Sequence, residues 1–425
     1  MIHDFKKIQD HLIAEIDRRK DERRRIEMLR KLADSSAKLR LQNEERYALS
    51  EMRKRVRATK EYSINNLSEL TKISMENFEK NGIIAYFAKT KEEVLNNLLK
   101  ICDEDFLIAS SADVMIETGA EDKLRERGIS IFHTDFGQML YNLMPGEVAS
   151  NKSFPVIHVP PEIAAEKLSA SLGVTLRPDA GEIVRAARDH ALKFVAKANI
   201  GISGANSISA DGSIFLVHNQ GNINFVASRL RKHITVTGIE KIVPSLSDAL
   251  NVVTLQSIYQ TGRTARHMNI ISGPTRSIDI AGLPVKGVYG PEGVHVILVD
   301  DWRTKALKEG FGEALYCIRC LHCTEVCPVC DRVGLLFSYL ERYPFPARGA
   351  VTAAFCEGIY SAFKSGLFMC TLCGACKREC PLQIDTPAMV ERLRMMAAEH
   401  GIIPERLIDI ERKIVESGNV FGAHT

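Results

Sequence analysis

Ten of the chain's eleven cysteines fall between Cys317 and Cys380, and eight of those ten form two copies of one pattern. The first is Cys317-Ile-Arg-Cys320-Leu-His-Cys323-Thr-Glu-Val-Cys327-Pro328, and the second is Cys370-Thr-Leu-Cys373-Gly-Ala-Cys376-Lys-Arg-Glu-Cys380-Pro381. Both read C-x2-C-x2-C-x3-C-P. Three thiolates at this spacing wrap one face of a cubane iron–sulfur cluster, and in two-cluster ferredoxins the fourth cysteine of each run ligates the other cluster. On that rule cluster one is held by Cys317, Cys320, Cys323 and Cys380, and cluster two by Cys370, Cys373, Cys376 and Cys327. Two [4Fe-4S] clusters are expected, close enough for one-electron hopping, with potentials set by hydrogen bonds to sulfur, local charge and exposure. Structural zinc uses paired C-x-x-C units with longer separations, and disulfides do not suit the reducing compartment that metal-type spacing implies. Cys330 and Cys356 lie outside the repeat; either could tune a cluster, but a buried, inert thiol is the commoner role, and Cys102 stands apart.

These loops need a scaffold. The sequence between the motifs, GLLFSYLERYPFPARGAVTAAFCEGIYSAFKSGLFM, has helical periodicity and places the loops at opposite ends of a helical hairpin, so residues 304–395 read as an all-α ferredoxin module and 396–425 as a short C-terminal tail. Residues 81–303 alternate short apolar runs with helical stretches: IIAYFA, FLIASS, ISIFHTD, PVIHV, IGISGA, SIFLVH, ITVTGI and VHVILVD, with helices such as GEIVRAARDHALKFVAKA between them. That alternation predicts an α/β domain with a central sheet covered by helices. Residues 1–80 lack proline and read as a helical N-terminal extension or docking arm.

Within the α/β region three polar loops border apolar runs, and they supply the candidate ligand-binding residues Asn206, Asp211, Asn219, Gln220, Gly221 and Asn222. In open α/β sheets ligands collect where such loops meet at strand ends; as plain turns, Gly and Asn are also the expected residues. No G-x-G-x-x-G follows a strand and no G-x-x-x-x-G-K-[ST] occurs, so neither an NAD site nor a P-loop nucleotide site is evident. Cubane clusters pass single electrons, so oxidation of a substrate calls for a flavin or another redox centre on a partner. No catalytic residue is assigned.

Across 425 residues, 45% hydrophobic and 26% charged, the composition is that of a folded multidomain protein rather than a disordered one. The first 60 residues hold 18 Lys and Arg against 11 Asp and Glu, but the acids are interspersed at helical spacings, which favours a solvated helical face over nucleic-acid binding. No apolar run spans a bilayer and the N-terminus lacks a secretory pattern, so a cytoplasmic protein is expected, with any membrane association made through partners.

The blocks RATKEYSINNL, FEKNG, HTDFGQMLYNL, PVIH, ITVTGIEKIVPSLSDAL, GPEGVHVILVDDWR and ALYCIRCLHCTEVCPV occur in that order. With them the chain resembles, over roughly residues 53 to 395, the lactate-utilisation family, in its LutB/LldF type of iron–sulfur subunit built from a LUD domain and a ferredoxin module. The resemblance implies that the α/β domain has the sheet shared by sugar-phosphate isomerases and CoA transferases. It implies a cysteine-rich-domain redox subunit and a second LUD subunit as partners, with a flavin dehydrogenase as a further candidate. It implies an electron-transfer oxidoreductase subunit, not a complete enzyme, working on L-lactate or a similar 2-hydroxy acid. The family's usual N-E-G-N loop falls on Asn219-Gln220-Gly221-Asn222, with an amide in place of the carboxylate, and Cys330 stands where the family commonly has Tyr. The complete second motif, and an end soon after the module, support an alternative: service in a heterodisulfide-reductase-like or quinone-linked complex. A third reading is a metabolite-binding regulatory protein whose clusters are structural.

Overall fold

The computed structural model describes residues 10, 13–14, 23–147, 155–333 and 346–422. By packing, the described residues form two compact units, one within Met28–His322 and a second built mainly from the described part of Cys323–Thr425. The larger unit carries the strands β1 (Ile84–Ala88), β2 (Phe106–Ala109), β3 (Ser130–His133), β4 (Ile200–Ser203), β5 (Ser207–Ser209), β6 (Ser213–His218), β7 (Lys232–Gly238), β8 (Ile242–Val243), β9 (His267–Ile271), β10 (Arg276–Ser277), β11 (Val285–Lys286) and β12 (Gly293–Val299).

The central sheet has the order β1-β12-β7-β4-β2-β3, and every pairing in it is parallel. A parallel strand covered on both faces is dense in apolar residues: in β12 Val296, Ile297 and Leu298 are fully buried, and in β7 Ile234 and Val236 are, alternating with the buried His233 and Thr235. In register, Val299 lies opposite Gly238, Ser203 opposite Thr235, and Ala109 opposite Ile202. The segments that follow β2, β4, β7 and β12 therefore leave the sheet along one edge, where ligands and charges gather in such folds.

Not every apolar run joins this sheet. The SIFLVH run is β6, which pairs antiparallel with β5 and β9 in a second sheet of order β8-β5-β6-β9. The turn between β5 and β6 is too short for a parallel crossover, and Gly212, at φ +86°, returns the chain directly. PVIHV forms turns rather than a strand, because Pro155, Pro160 and Pro161 crowd it with residues that cannot donate to a ladder. The helices Leu49–Asn65 and Leu67–Lys80 are no detached arm: Leu49, Val56, Ile64, Leu67, Leu70 and Phe78 are buried within the larger unit.

One close approach tests the packing. A Cβ on Gly201 would collide with the Val226 carbonyl oxygen and the Leu230 side chain, because the helix Ile223–Ser228 lies directly against β4. Gly201→Ala should cost about 1–3 kcal/mol, read as a lower thermal midpoint; an unchanged midpoint would contradict this contact.

The smaller unit is helical throughout its described residues, with Pro328–Val333, Arg348–Glu357, Ile359–Lys364, Ala375–Arg378, Thr386–Glu399 and Glu405–Ser417. Its core is Val351, Phe355, Ala362, Phe363, Leu367, Val390 and Leu393. Asp385 caps the helix Thr386–Glu399 by accepting from the Ala388 N–H. The C-terminal segment is more than a tail, since 405–417 is a helix. The stretch 334–345 between the motifs, part of the expected hairpin, lies outside the described residues.

Candidate metal centre

In the smaller unit Cys327 of the first motif and Cys370, Cys373 and Cys376 of the second line one recess, closed by Val329, Ala347 and Pro387. This is the set expected for cluster two. Among the described residues no three His, Cys, Asp or Glu side chains close on one point as ligands of a single ion would; the four thiols face a common space instead. Burial pushes the Cys376 thiol up to about 12, and the sulfurs of Cys370, Cys327, Cys373 and Cys380 push it the same way. Four thiolates crowded like this repel one another unless a cationic core lies between them, so the donor set fits a cluster that binds them deprotonated.

The backbone around both motifs is built alike. The second and fourth residues after the leading cysteine are left-handed in each: Arg319 (φ +58°) and Leu321 (+64°) in the first, Leu372 (+54°) and Gly374 (+75°) in the second. Outside glycine this costs roughly 1–2 kcal/mol per residue. It turns N–H groups towards sulfur: the Arg319 N–H donates to Cys317 Sγ at 3.3 Å, and the Leu372 N–H donates to Cys370. The Cys-Pro pair has a similar use. Pro328 opens the short helix Pro328–Val333, a position that needs no N–H, and the freed N–H groups of Val329 and Cys330 point at Cys327. The buried Cys330 thiol also hydrogen-bonds Cys327, and these donors hold that thiol down at about 7 against its burial. Cys330 is buried as expected, but it has a partner. Beneath the second loop Arg394 donates to the carbonyls of Leu367 (3.0 Å) and Cys370.

Cys317 and Cys320, expected for cluster one, belong to the larger unit. There the loop is pinned by Arg319, whose guanidinium reaches Glu117, Asp113 and Glu240. Arg303, fully buried just after β12, pairs with Glu117 at 2.9 Å and with Glu240, which lies two residues after β7 and two before β8. Lys60 donates to the Glu240 carbonyl. Gly238 has no room for a Cβ, since Arg303 and Glu240 fill the space beside it. Burial alone would push the Glu240 carboxyl up; Arg303 and Arg319 overcome it and hold it at about 2. Burial pulls Lys60 and Lys241 down to about 8. Sequence reading missed this cluster. Its signal was charge directly after fully apolar strands, in ITVTGIEK and VHVILVDDWR.

Arginines from the N-terminal helices brace the same segment. Arg57 pairs with Glu313 at 3.0 Å and lies 4.6 Å over the Tyr316 ring, and Arg40 bonds the Tyr259 carbonyl at 3.1 Å and His322 Nε2 at 3.3 Å. The expected solvated face describes the exposed Lys54–Glu51 pair but not these residues.

The six candidate loop residues do not converge. Asn219, Gln220, Gly221 and Asn222 fold towards the end of β3: Gln220 Oε1 accepts from the Phe136 N–H at 2.9 Å, and Asn222 Nδ2 donates to Thr134 Oγ1 at 3.4 Å. His218 joins them, accepting the Gly221 N–H at 3.1 Å and stacking on His267 at 5.2 Å. Asn206 is tied to Gln256 and to the Val217 N–H, a structural role at the same end of the β5–β6 hairpin. Asp211 sits in the opposite turn, bonded to Ser209.

Residues 72–299 match the family model for the LUD domain. The chain belongs to the LUD-domain family. Residues 313–384 match the 4Fe-4S dicluster domain, so both cysteine motifs fall in an iron–sulfur module that follows the LUD domain. Lactate utilization protein B of Shouchella clausii is 29% identical over 343 residues, covering 80% of this chain and 70% of its own. Its counterpart in an Exiguobacterium species is 31% identical, covering 76% and 68%. The uncharacterized electron transport protein YkgF of Escherichia coli K12 is 29% identical, covering 83% and 73%. A solved DUF162 family protein from Deinococcus radiodurans aligns with 55% of this chain and 98% of its own, at 13% identity and a TM-score of 0.31. In these terms Glu117 and Glu240 fall in the LUD match, Arg319 falls in the dicluster match, and Arg303 lies in the short stretch between the two.

Proposed function

We propose that this protein is the iron–sulfur electron-transfer subunit of a cytoplasmic complex that oxidises L-lactate or a similar 2-hydroxy acid. The observation that carries the reading is Cys327, a residue of the first motif, facing Cys370, Cys373 and Cys376 in one recess, the exchanged arrangement that keeps two cubanes within hopping distance. Each cluster is held by three cysteines of one motif and the last of the other: Cys317, Cys320, Cys323 with Cys380, and Cys370, Cys373, Cys376 with Cys327. The relatives named for lactate utilisation supply the substrate class. Among the described residues no helix is long and apolar enough to cross a membrane. The hydride acceptor, a flavin or equivalent, is on a partner, and the partners are a cysteine-rich-domain redox subunit and a second LUD subunit. The loop Asn219–Asn222 with His218 is the candidate ligand contact.

The test is to purify the tagged protein anaerobically with its partners, add L-lactate, and follow visible bleaching and electron paramagnetic resonance. Bleaching with a reduced-cluster signal is the expected result. If lactate and other 2-hydroxy acids do nothing while dithionite reduces two interacting clusters, the organic-acid reading falls, and a heterodisulfide-reductase-like or quinone-linked complex takes its place. In the same preparation Cys320→Ala should lower iron content by more than half, because the exchanged Cys380 links the two loops; two intact clusters would refute the ligand assignment.

A further inference from the structure

A cavity of about 490 Å³ opens in the larger unit between the end of the helix Arg23–Asn43, the turn after it, and the segment Arg263–Arg266 that follows the helix Leu246–Thr261. Arg46, Arg263 and Arg266 line it together with Gln42, Asn43 and Tyr47. Among the described residues that line it there is no Asp or Glu. The nearby Glu44 is turned to Arg53 at 3.6 Å. Arg263 and Arg266 form no ion pair among the described residues, and Arg46 lies against the Tyr47 ring at 5.4 Å.

The walls are fixed. Asn43 Nδ2 donates to the Leu39 carbonyl at 2.8 Å and to the Gly262 carbonyl at 2.9 Å, stitching one wall to the other. Gly262, left-handed at φ +74°, comes so close to Leu39 that a Cβ there would strike its side chain. The Arg266 N–H donates to Asn219 Oδ1 at 3.1 Å, which sets the third arginine beside the Asn219–Asn222 loop.

Small-molecule pockets are mostly apolar and measure about 300–1,000 Å³. This one has the size but the opposite lining. Arg46, Arg263 and Arg266 are exposed and gather positive charge around one polar depression, which a ligand with several negative charges would complement. Guanidinium forks match the oxygens of phosphate and carboxylate in pairs, and the tie between the walls means little ordering is needed on binding.

We propose that this cavity is a binding site for a small, multiply charged anion bearing phosphate or carboxylate groups. The experiment is isothermal titration of the full-length, cluster-loaded protein, kept anaerobic at fixed ionic strength in chloride, with pyrophosphate and with citrate as probes. Saturable one-site binding of either probe is expected: pyrophosphate alone assigns a phosphorylated ligand, citrate alone a polycarboxylate, and both together a site selective for charge. Arg263→Gln and Arg266→Gln should each weaken binding by about tenfold, as expected for loss of one charge-assisted contact, and Arg263→Lys by less. Arg406→Gln, an exposed arginine in the smaller unit, serves as the control for general charge and should bind as the native protein does. Visible cluster absorption checks that each variant is intact. No saturable binding by the native protein, or an equal loss in Arg406→Gln, overturns the site.

Discussion

Cys327→Ser is expected to strip the cluster of the second motif, although Cys327 belongs to the first. The sulfur lines the recess of Cys370, Cys373 and Cys376, more than forty residues on along the chain, and among the described residues no other cysteine lines that recess. Serine keeps the shape but offers a poor ligand to iron, and with three thiolates left the cluster should be lost or reduced to a labile form. Iron per chain should fall by about half or more, with loss of the interaction between two reduced centres in the resonance spectrum. Cys330→Ala makes the contrast. It removes only the thiol that donates to Cys327, so both clusters should persist, with a shifted potential for one of them. A Cys327→Ser protein with two full, interacting clusters would show that the recess is not a ligand set.

Glu240→Gln is expected to destabilise the larger unit by about 3–5 kcal/mol, the usual loss when one partner is taken from a buried charge group. Glu240 is 4% exposed and faces Arg303, which is fully buried. The amide keeps the volume but leaves Arg303 sharing Glu117 with Arg319. For a unit of this size the thermal midpoint should fall by roughly 10 °C. Because the carboxyl is held at about 2 against an ordinary value of 4.5, its contribution is complete above that ordinary value and is lost as pH falls through the folded value. The gap between native and variant should therefore narrow as pH drops from about 4.5 towards 2. Pairing Glu240→Gln with Arg303→Gln should cost less than the sum of the two single changes, since they remove the same interaction. A variant as stable as the native protein at pH 7, read by urea unfolding, would sink the account.

Much of this molecule could be read from its residues, and the failures have physical causes. The cysteine spacing grouped Cys327 with Cys370, Cys373 and Cys376 because ligand loops are local in sequence, and these four line one recess. The apolar runs of β2, β4 and β12 were legible because a parallel strand buried in the sheet interior is dense in apolar residues, whereas β1 and β3 lie at its edges and are partly exposed. SIFLVH looked the same, yet β6 pairs antiparallel in another sheet, since partner choice depends on the turn before a strand rather than on its own residues. PVIHV failed because its prolines outweigh its β-branched residues. Asp211 shared its composition with the Asn219–Asn222 loop, but the hairpin carries it to the other end of β6. Least visible was the group of Glu117, Glu240, Arg303 and Arg319. Its members lie up to 202 residues apart, and charge in a sequence is by default assigned to the surface.

Arg319 has one further consequence, for the order in which the protein is put together. Its side chain is anchored by Glu117, in the helix Asp113–Thr118, and by Glu240, just after β7, both within the LUD domain. The Cys317–Cys320 loop is therefore shaped by the folding of its own domain, and the left-handed bend at Arg319 is set by that anchor. Small metal domains commonly wait for the ion before they fold. Here the anchor of Arg319 is made of protein charges, so the backbone that carries Cys317 and Cys320 has a support that does not depend on a bound metal.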